Sequence, residues 1–155
     1  MKKATECADA ASLALEALEA ACEDLKNGIS PEIKKRAGRF FNIFTDGKYE
    51  SLEVSGEFGL GVIENGMLKE AAYLSQGTKD IAYLSLRVAL CEVLFKEKPV
   101  LILDEIFAYI DDKRFKAILS VLEKLSEEYQ IFVFTCHERE KTALSEIRGA
   151  SVIEL

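Results

Sequence analysis

Apolar positions along residues 4–27 recur at heptad spacing: Ala4, Ala11, Leu18 and Leu25, with Cys7, Ala14 and Ala21 between them and Leu15 and Cys22 broadening the face. This predicts a helix, either one lying on the domain surface or the root of an antiparallel coiled coil, since about three heptads is the least that supports a coiled-coil reading. Asn27-Gly28 ends it, and Ser30-Pro31-Glu32 opens a second helix with a serine cap and proline at the first helical position. That helix runs through Ile33, Ala37, Phe40, Phe41 and Phe44 to a stop at Asp46-Gly47. Residues 48–64 alternate as strands do, placing Leu52, Val54, Phe58, Leu60 and Val62 on one side if the Ser55-Gly56-Glu57 turn keeps the register. Asn65-Gly66 is a hairpin turn, with Met67 and Leu68 returning. From Gln76 to Lys96 the chain is apolar on most sides of a helix, as expected of a buried one.

After Pro99, residues 100–104 form a short apolar run that fits a strand covered on both faces. Residues 112–128 return to helical spacing through Phe115, Ile118, Leu119, Leu122 and Leu125. Ile131-Phe132-Val133-Phe134 reads as a second buried strand and Val152-Ile153 as a possible third. Helices alternating with strands across short connections predict an α/β fold with a parallel sheet and crossover helices.

At 155 residues the chain is long enough for one domain with a proper core, and 49% hydrophobic with 30% charged residues excludes a disordered polymer. A net charge of -7 argues against nucleic-acid binding through the average surface, leaving a local basic patch at Lys34, Lys35, Arg36 and Arg39. The four cysteines, Cys7, Cys22, Cys91 and Cys136, form no CxxC pair, which suggests reduced thiols in a cytoplasmic protein. No apolar run is long enough for a membrane span, and the N-terminus has no signal-peptide core.

Ligands of open parallel sheets sit at the carboxyl ends of the strands. Asp104 and Glu105 end one predicted strand, and His137, the only histidine, follows another after Thr135-Cys136. Successive strand residues point to opposite faces, so the two acids have different tasks. One can hold a metal ion through its water shell, and the other can orient or deprotonate an attacking water. Leu74-Ser75-Gln76-Gly77-Thr78 precedes the long helix, with Ser75 as cap. Its free backbone N–H groups and positive dipole end suit an anion, and Gly77 would let a phosphate approach closely. Glu138 and Arg139 read as solvated, and Cys136 as packing.

Together these residues resemble the C-terminal lobe of an ABC-type ATPase head from the subgroup with long coiled coils: SMC proteins, SbcC-like repair ATPases and bacterial YhaN-like proteins. Leu74 to Asp80 looks like the signature motif, Leu101 to Glu105 like the Walker B strand, and Ala108 to Asp112 like the D-loop. Phe134-Thr135-Cys136-His137 looks like the switch-histidine strand end, in wording most like the YhaN-like group, and so do Arg36 to Phe40 and Gly47-Lys48-Tyr49. The resemblance implies a P-loop NTPase-like half-domain over 30–155, preceded by a coiled-coil root helix over 1–29. It implies ATP and Mg²⁺ as cofactors. Asp104 would help coordinate Mg²⁺, Glu105 would be the general base, and His137 would contact the γ-phosphate. Ser75 and Gly77, with Gln76 between them, would bind a nucleotide held by the opposite subunit, and Asp111 would couple the two sites. Gln76 stands where Gly, Ala or Arg is common, and Ile106 where transporter relatives carry proline.

No GxxxxGK[ST] occurs in the chain. The implied partners are therefore an N-terminal Walker A lobe of the same protein and a second head, with DNA and a nuclease subunit further out. The implied role is ATP hydrolysis in DNA repair or chromosome maintenance, with the chain inactive by itself. Two other readings remain: a metal-dependent phosphoesterase or nuclease using Asp104, Glu105, Asp111 and His137, and a non-catalytic interaction module binding through residues 4–27.

Overall fold

The structure, a computed structural model, describes residues 12–16, 18–19, 31–54 and 60–154. Residues 12–16 and 18–19 are helical, with Leu13, Leu15 and Leu18 exposed. The rest of the predicted 4–27 helix, the Ser30 cap, Phe58 and the turn after Val54 lie outside the described residues.

Helix α1 (31–44) buries Ala37, Phe40, Phe41 and Phe44, a spacing that lines one helical face. It stops where predicted. Asp46 and Gly47 take left-handed conformations (φ 54° and 73°), and the Gly47 N–H donates back to the Asn42 carbonyl at 2.8 Å. This closes the helix end in the manner of a Schellman turn. Strands β1 (Ser51–Val54), β2 (Leu60–Glu64) and β3 (Met67–Glu70) form an antiparallel sheet in that order. Leu52 pairs with Val62 and Val54 with Leu60, so these residues share one face, as their alternation requires. Asn65 and Gly66 both have positive φ, 52° and 70°, the signature of the tight primed hairpin.

A 3₁₀ turn (Ala71–Tyr73) leads into α2 (Gln76–Leu94). Strand β4 (Leu101–Asp104), helix α3 (Asp112–Leu125), strand β5 (Ile131–Phe134) and helix α4 (Glu138–Ser145) follow. Strands β4 and β5 pair in parallel, Leu101 opposite Ile131 through Asp104 opposite Phe134, with α3 as the connection. One core cluster joins the two sheets: Phe41, Phe44, Leu52 and Val62 belong with Ile81, Val88, Leu103, Phe107, Phe115 and Ile118.

Three expectations are corrected. Helix α2 is not buried all round: Ile81, Leu84, Val88 and Ala89 face the core, while Tyr83, Arg87 and Leu94 are exposed. Residues 151–154 form no strand, and Val152 and Ile153 are exposed. Strands β4 and β5 are covered on one face only. Leu101 and Leu103 are buried, but Ile102, Phe132 and Phe134 on the other side remain 56%, 42% and 46% exposed. The apolar run does form a strand, but among the described residues nothing covers its second face. The predicted basic patch is also partly neutralised, because Arg36 bonds Glu32 and Glu92, each at 2.8 Å. No helix among the described residues is long and apolar enough to cross a membrane.

Candidate functional site

Strand β4 ends on Asp104, and the chain then turns sharply. Glu105 sits at φ 49°, a left-handed conformation that costs a non-glycine residue roughly 1–2 kcal/mol. Strain of this kind persists only where surrounding contacts over-determine it. Two do so here. The Glu105 N–H donates to the Phe134 carbonyl at 3.0 Å, and Glu105 Oε1 accepts the Cys136 N–H at 2.8 Å. The second oxygen, Oε2, is thereby left free and lies 3.5 Å from His137 Nε2. Both side chains are nearly half exposed, 41% and 47%, so the pair is open to a ligand. Glu105 lies in this turn, outside β4, so strand alternation does not set its direction as the sequence suggested. Asp104 is exposed and shares a shallow groove of about 240 Å³ with Gln76, Asp80, Tyr83, Arg87 and Glu105.

The segment holding His137 is anchored by residues the sequence reading passed over. The His137 N–H donates to the Thr135 hydroxyl at 3.1 Å, and that hydroxyl donates to Glu140, which is completely buried. Arg139, expected to be solvated, is instead a staple. Its Nη1 donates to the Ile110 carbonyl at 3.1 Å and to Asp112 at 3.0 Å, and its Nη2 to the Phe107 carbonyl at 3.1 Å and to Glu140 at 3.3 Å. The guanidinium lies over the Phe115 ring, 4.7 Å from its centroid. One side chain thus ties α4 to the loop between β4 and α3. In the sequence Arg139 is one of several charged residues in the first turn of a helix, which is indistinguishable from a solvated face. Cys136 is exposed and does not pack. The Glu105 carboxylate beside it, then partial burial, push its thiol above the ordinary range, because a thiolate there would face a like charge. Burial raises the Cys91 thiol as well.

The start of α2 forms a separate part of the site. Ser75 is exposed and caps the helix, its Oγ accepting the Thr78 N–H at 3.3 Å. It opens onto a second groove lined by Lys48, Lys69, Tyr73 and Arg114. Arg114 reaches Thr78 Oγ1 at 3.3 Å and Asp111 at 3.4 Å, linking this helix start to the β4–α3 loop. Asp111 also caps α3, accepting from the N–H groups of Lys113 and Arg114 at 3.1 Å each. Gly77 is buried, and a Cβ there would stand 2.1 Å from the Tyr109 carbonyl oxygen. Its neighbour in space is the β4–α3 loop, so glycine is required by packing, a different reason from the phosphate approach suggested by the sequence.

The structure therefore brings Glu105 and His137 together, sets Asp104 and Gln76 around the adjoining groove, and keeps Ser75, Gly77 and Asp111 in a second, connected cluster. Among the described residues, the histidine, cysteine and acidic groups close enough to share an ion are Glu105, Cys136 and His137, without Asp104 or Asp111. Asp104 is an exposed hard-oxygen donor at a strand end with no ion-pair partner among the described residues, which fits a Mg²⁺ ion that keeps most of its waters.

No family model matches the chain. It is 37% identical over 117 residues to the uncharacterized protein YhaN of Bacillus subtilis, a match covering 73% of this chain and 12% of YhaN. It is 29% identical over 119 residues to the DNA double-strand break repair Rad50 ATPase of Thermococcus kodakarensis, covering 75% of this chain and 14% of that protein. The chain thus spans a small part of these curated relatives. Among solved structures, the Smc head domain of Pyrococcus yayanosii superposes with a TM-score of 0.64 at 18% identity, over 86% of this chain and 27% of that one. A structure from work on ATP-driven dimerization of SMC ATPases superposes at 0.63 and 20% identity, over 85% of this chain and 83% of that one. In sequence the chain is similar to YhaN and the Rad50 ATPases and in fold to SMC head domains, and together these support an SMC/Rad50-like ABC ATPase head region.

Proposed function

We propose that this chain is the C-terminal half of an ATP-hydrolysing head in a coiled-coil protein of DNA repair or chromosome maintenance, and that it works only with an N-terminal Walker A lobe. The carrying observation is the strained Glu105, whose one oxygen is tethered so that the other faces His137 on an open strand end. The bare apolar face of Ile102, Phe132 and Phe134 supports the need for a second lobe. The absence of a GxxxxGK[ST] motif from these 155 residues agrees with it.

In this reading Glu105 Oε2 accepts the proton of the water that attacks the γ-phosphorus. The bond from that phosphorus to the β–γ bridging oxygen breaks, leaving ADP and inorganic phosphate. His137 donates a hydrogen bond to a γ-phosphate oxygen, and Ser75 with the helix start behind it meets the nucleotide of a second head. Asp104 would hold the waters of Mg²⁺, which when bound neutralises phosphate charge. Catalysis of phosphoryl transfer is mainly positioning and charge stabilisation, so one lobe supplies half the arrangement and little turnover.

The test is ATP hydrolysis after adding the N-terminal lobe in trans. Turnover should appear on mixing and fall by at least about a hundredfold in Glu105→Gln, a loss at the low end of that for a general base, while ATP-dependent association persists. Full turnover in Glu105→Gln would overturn the assignment.

A further inference from the structure

We propose that Glu105, Cys136 and His137 form a binding site for a thiophilic divalent cation of the Zn²⁺ kind, distinct from the Mg²⁺ position at Asp104. Their ligand atoms, one carboxylate oxygen, one sulfur and one imidazole nitrogen, all lie within 4.8 Å of one another. Three protein ligands with an open fourth position for water is the usual layout of a solvent-accessible zinc site. Zn–N and Zn–O bonds near 2.0–2.2 Å in a tetrahedron set the two atoms about 3.4 Å apart. Glu105 Oε2 and His137 Nε2 stand 3.5 Å apart already. Zn–S bonds of about 2.3 Å ask for sulfur some 3.6 Å from each of them, and the three ligand atoms already lie within 4.8 Å of one another, with Cys136 an exposed side chain free to adjust.

The support behind these ligands is built into the turn. Glu105 Oε1 is occupied by the Cys136 N–H, which leaves Oε2 as the ligand atom. The His137 backbone is fixed through Thr135 to the buried Glu140, and Arg139 fixes Glu140 in turn. Preorganised outer contacts of this kind account for much of the affinity of metal sites. The donor set also selects the ion. A thiolate and an imidazole favour Zn²⁺ over Mg²⁺, which prefers oxygen ligands and retains its waters. Binding requires the thiol to ionise, so one proton is released per ion and affinity rises with pH. The site itself does not depend on the ATPase reading. Its consequence does: an ion there would take the lone pair that Glu105 needs as a base, so a Zn²⁺-loaded head would be inactive.

Co²⁺ titration of the 155-residue chain, read by absorption, tests the site without any nucleotide. A thiolate-to-cobalt charge-transfer band should appear with intense tetrahedral visible bands, and Zn²⁺ should bleach both while excess Mg²⁺ does not. Cys136→Ser should remove the charge-transfer band, and His137→Ala should weaken Co²⁺ binding by more than about a hundredfold, beyond the 10–100-fold typical of losing a supporting contact. Cys91→Ser should leave the spectrum unchanged. In the unaltered chain, Zn²⁺ should protect Cys136 from alkylation, which removes any reliance on a variant that folds poorly. A charge-transfer band surviving in Cys136→Ser, octahedral-type weak spectra, or unprotected alkylation would each overturn the proposal. Loss of the metal site with ATP turnover intact on lobe mixing would leave the head assignment standing, and the reverse result would leave the metal site standing.

Discussion

Strand β1 and strand β4 are both four residues long, and both bury one face against the same core. In β1, Ser-Leu-Glu-Val, Leu52 points inward and the residues beside it, Ser51 and Glu53, are polar. In β4, Leu-Ile-Leu-Asp, Leu101 and Leu103 point inward and the residue between them, Ile102, is a bare aliphatic. Its partner β5 repeats the pattern with Phe132 and Phe134. The outer side of β1 is a finished surface, whereas that of the parallel pair has the composition of a core without its cover. A sheet that is apolar on both sides belongs between two layers, so the contrast locates the surface on which the proposed second lobe would lie.

The contrast can be broken most directly by truncating the two faces of β4. Leu103→Ala should destabilise the chain by roughly 2–5 kcal/mol in denaturant unfolding, since it opens a cavity in a packed core. Ile102→Ala should cost under about 1 kcal/mol in the chain alone, because solvent already fills its outer side. Equal costs would mean that the outer face is covered after all. Next in size is the staple behind the parallel pair. Arg139→Ala should cost about 1–3 kcal/mol by stripping two loop carbonyls and the buried Glu140 of a charged donor. Arg139→Lys should recover only part, since an ammonium cannot reach four acceptors in one plane. Gly77→Ala should cost roughly 1–3 kcal/mol, because the Tyr109 carbonyl, a backbone atom, has to move. A neutral Gly77→Ala would show that the loop after β4 is loose.

The smallest effect sharpens the edge chemistry. The Glu105 charge holds the Cys136 thiol up, so its alkylation rate should reach half-maximum at a pH above the ordinary thiol value. Glu105→Gln removes the repelling charge, and the midpoint should fall, giving faster alkylation at neutral pH. An unchanged midpoint would mean that the carboxylate and thiol do not face one another.

Much of the frame was legible because it rests on short-range chemistry. The Asn65-Gly66 hairpin, the α1 stop at Asp46-Gly47, the Ser75 cap and the β4–α3–β5 unit each follow from a few adjacent residues and a hydrophobic period. Placing Asp104, Glu105 and His137 on one edge also followed, since parallel strands align their carboxyl ends. The failures share a cause. Arg139, beside Glu138, reads as solvated, and its partners, the carbonyls of Phe107 and Ile110 and the ring of Phe115, lie far away in sequence. The packing of Gly77 against the Tyr109 carbonyl was likewise invisible in the sequence.

Periodicity and capping residues by themselves determined which segments are helix or strand, which side of each is apolar, and which acids terminate a strand, because these depend on neighbours within a few positions. Tertiary structure alone decided that Glu105 takes a left-handed turn, that one of its oxygens is tied off and the other is aimed at His137, and that one face of β4 and β5 lies open among the described residues. Those outcomes depend on backbone groups supplied by distant segments, and a one-dimensional pattern records that a surface is apolar without recording what will lie against it.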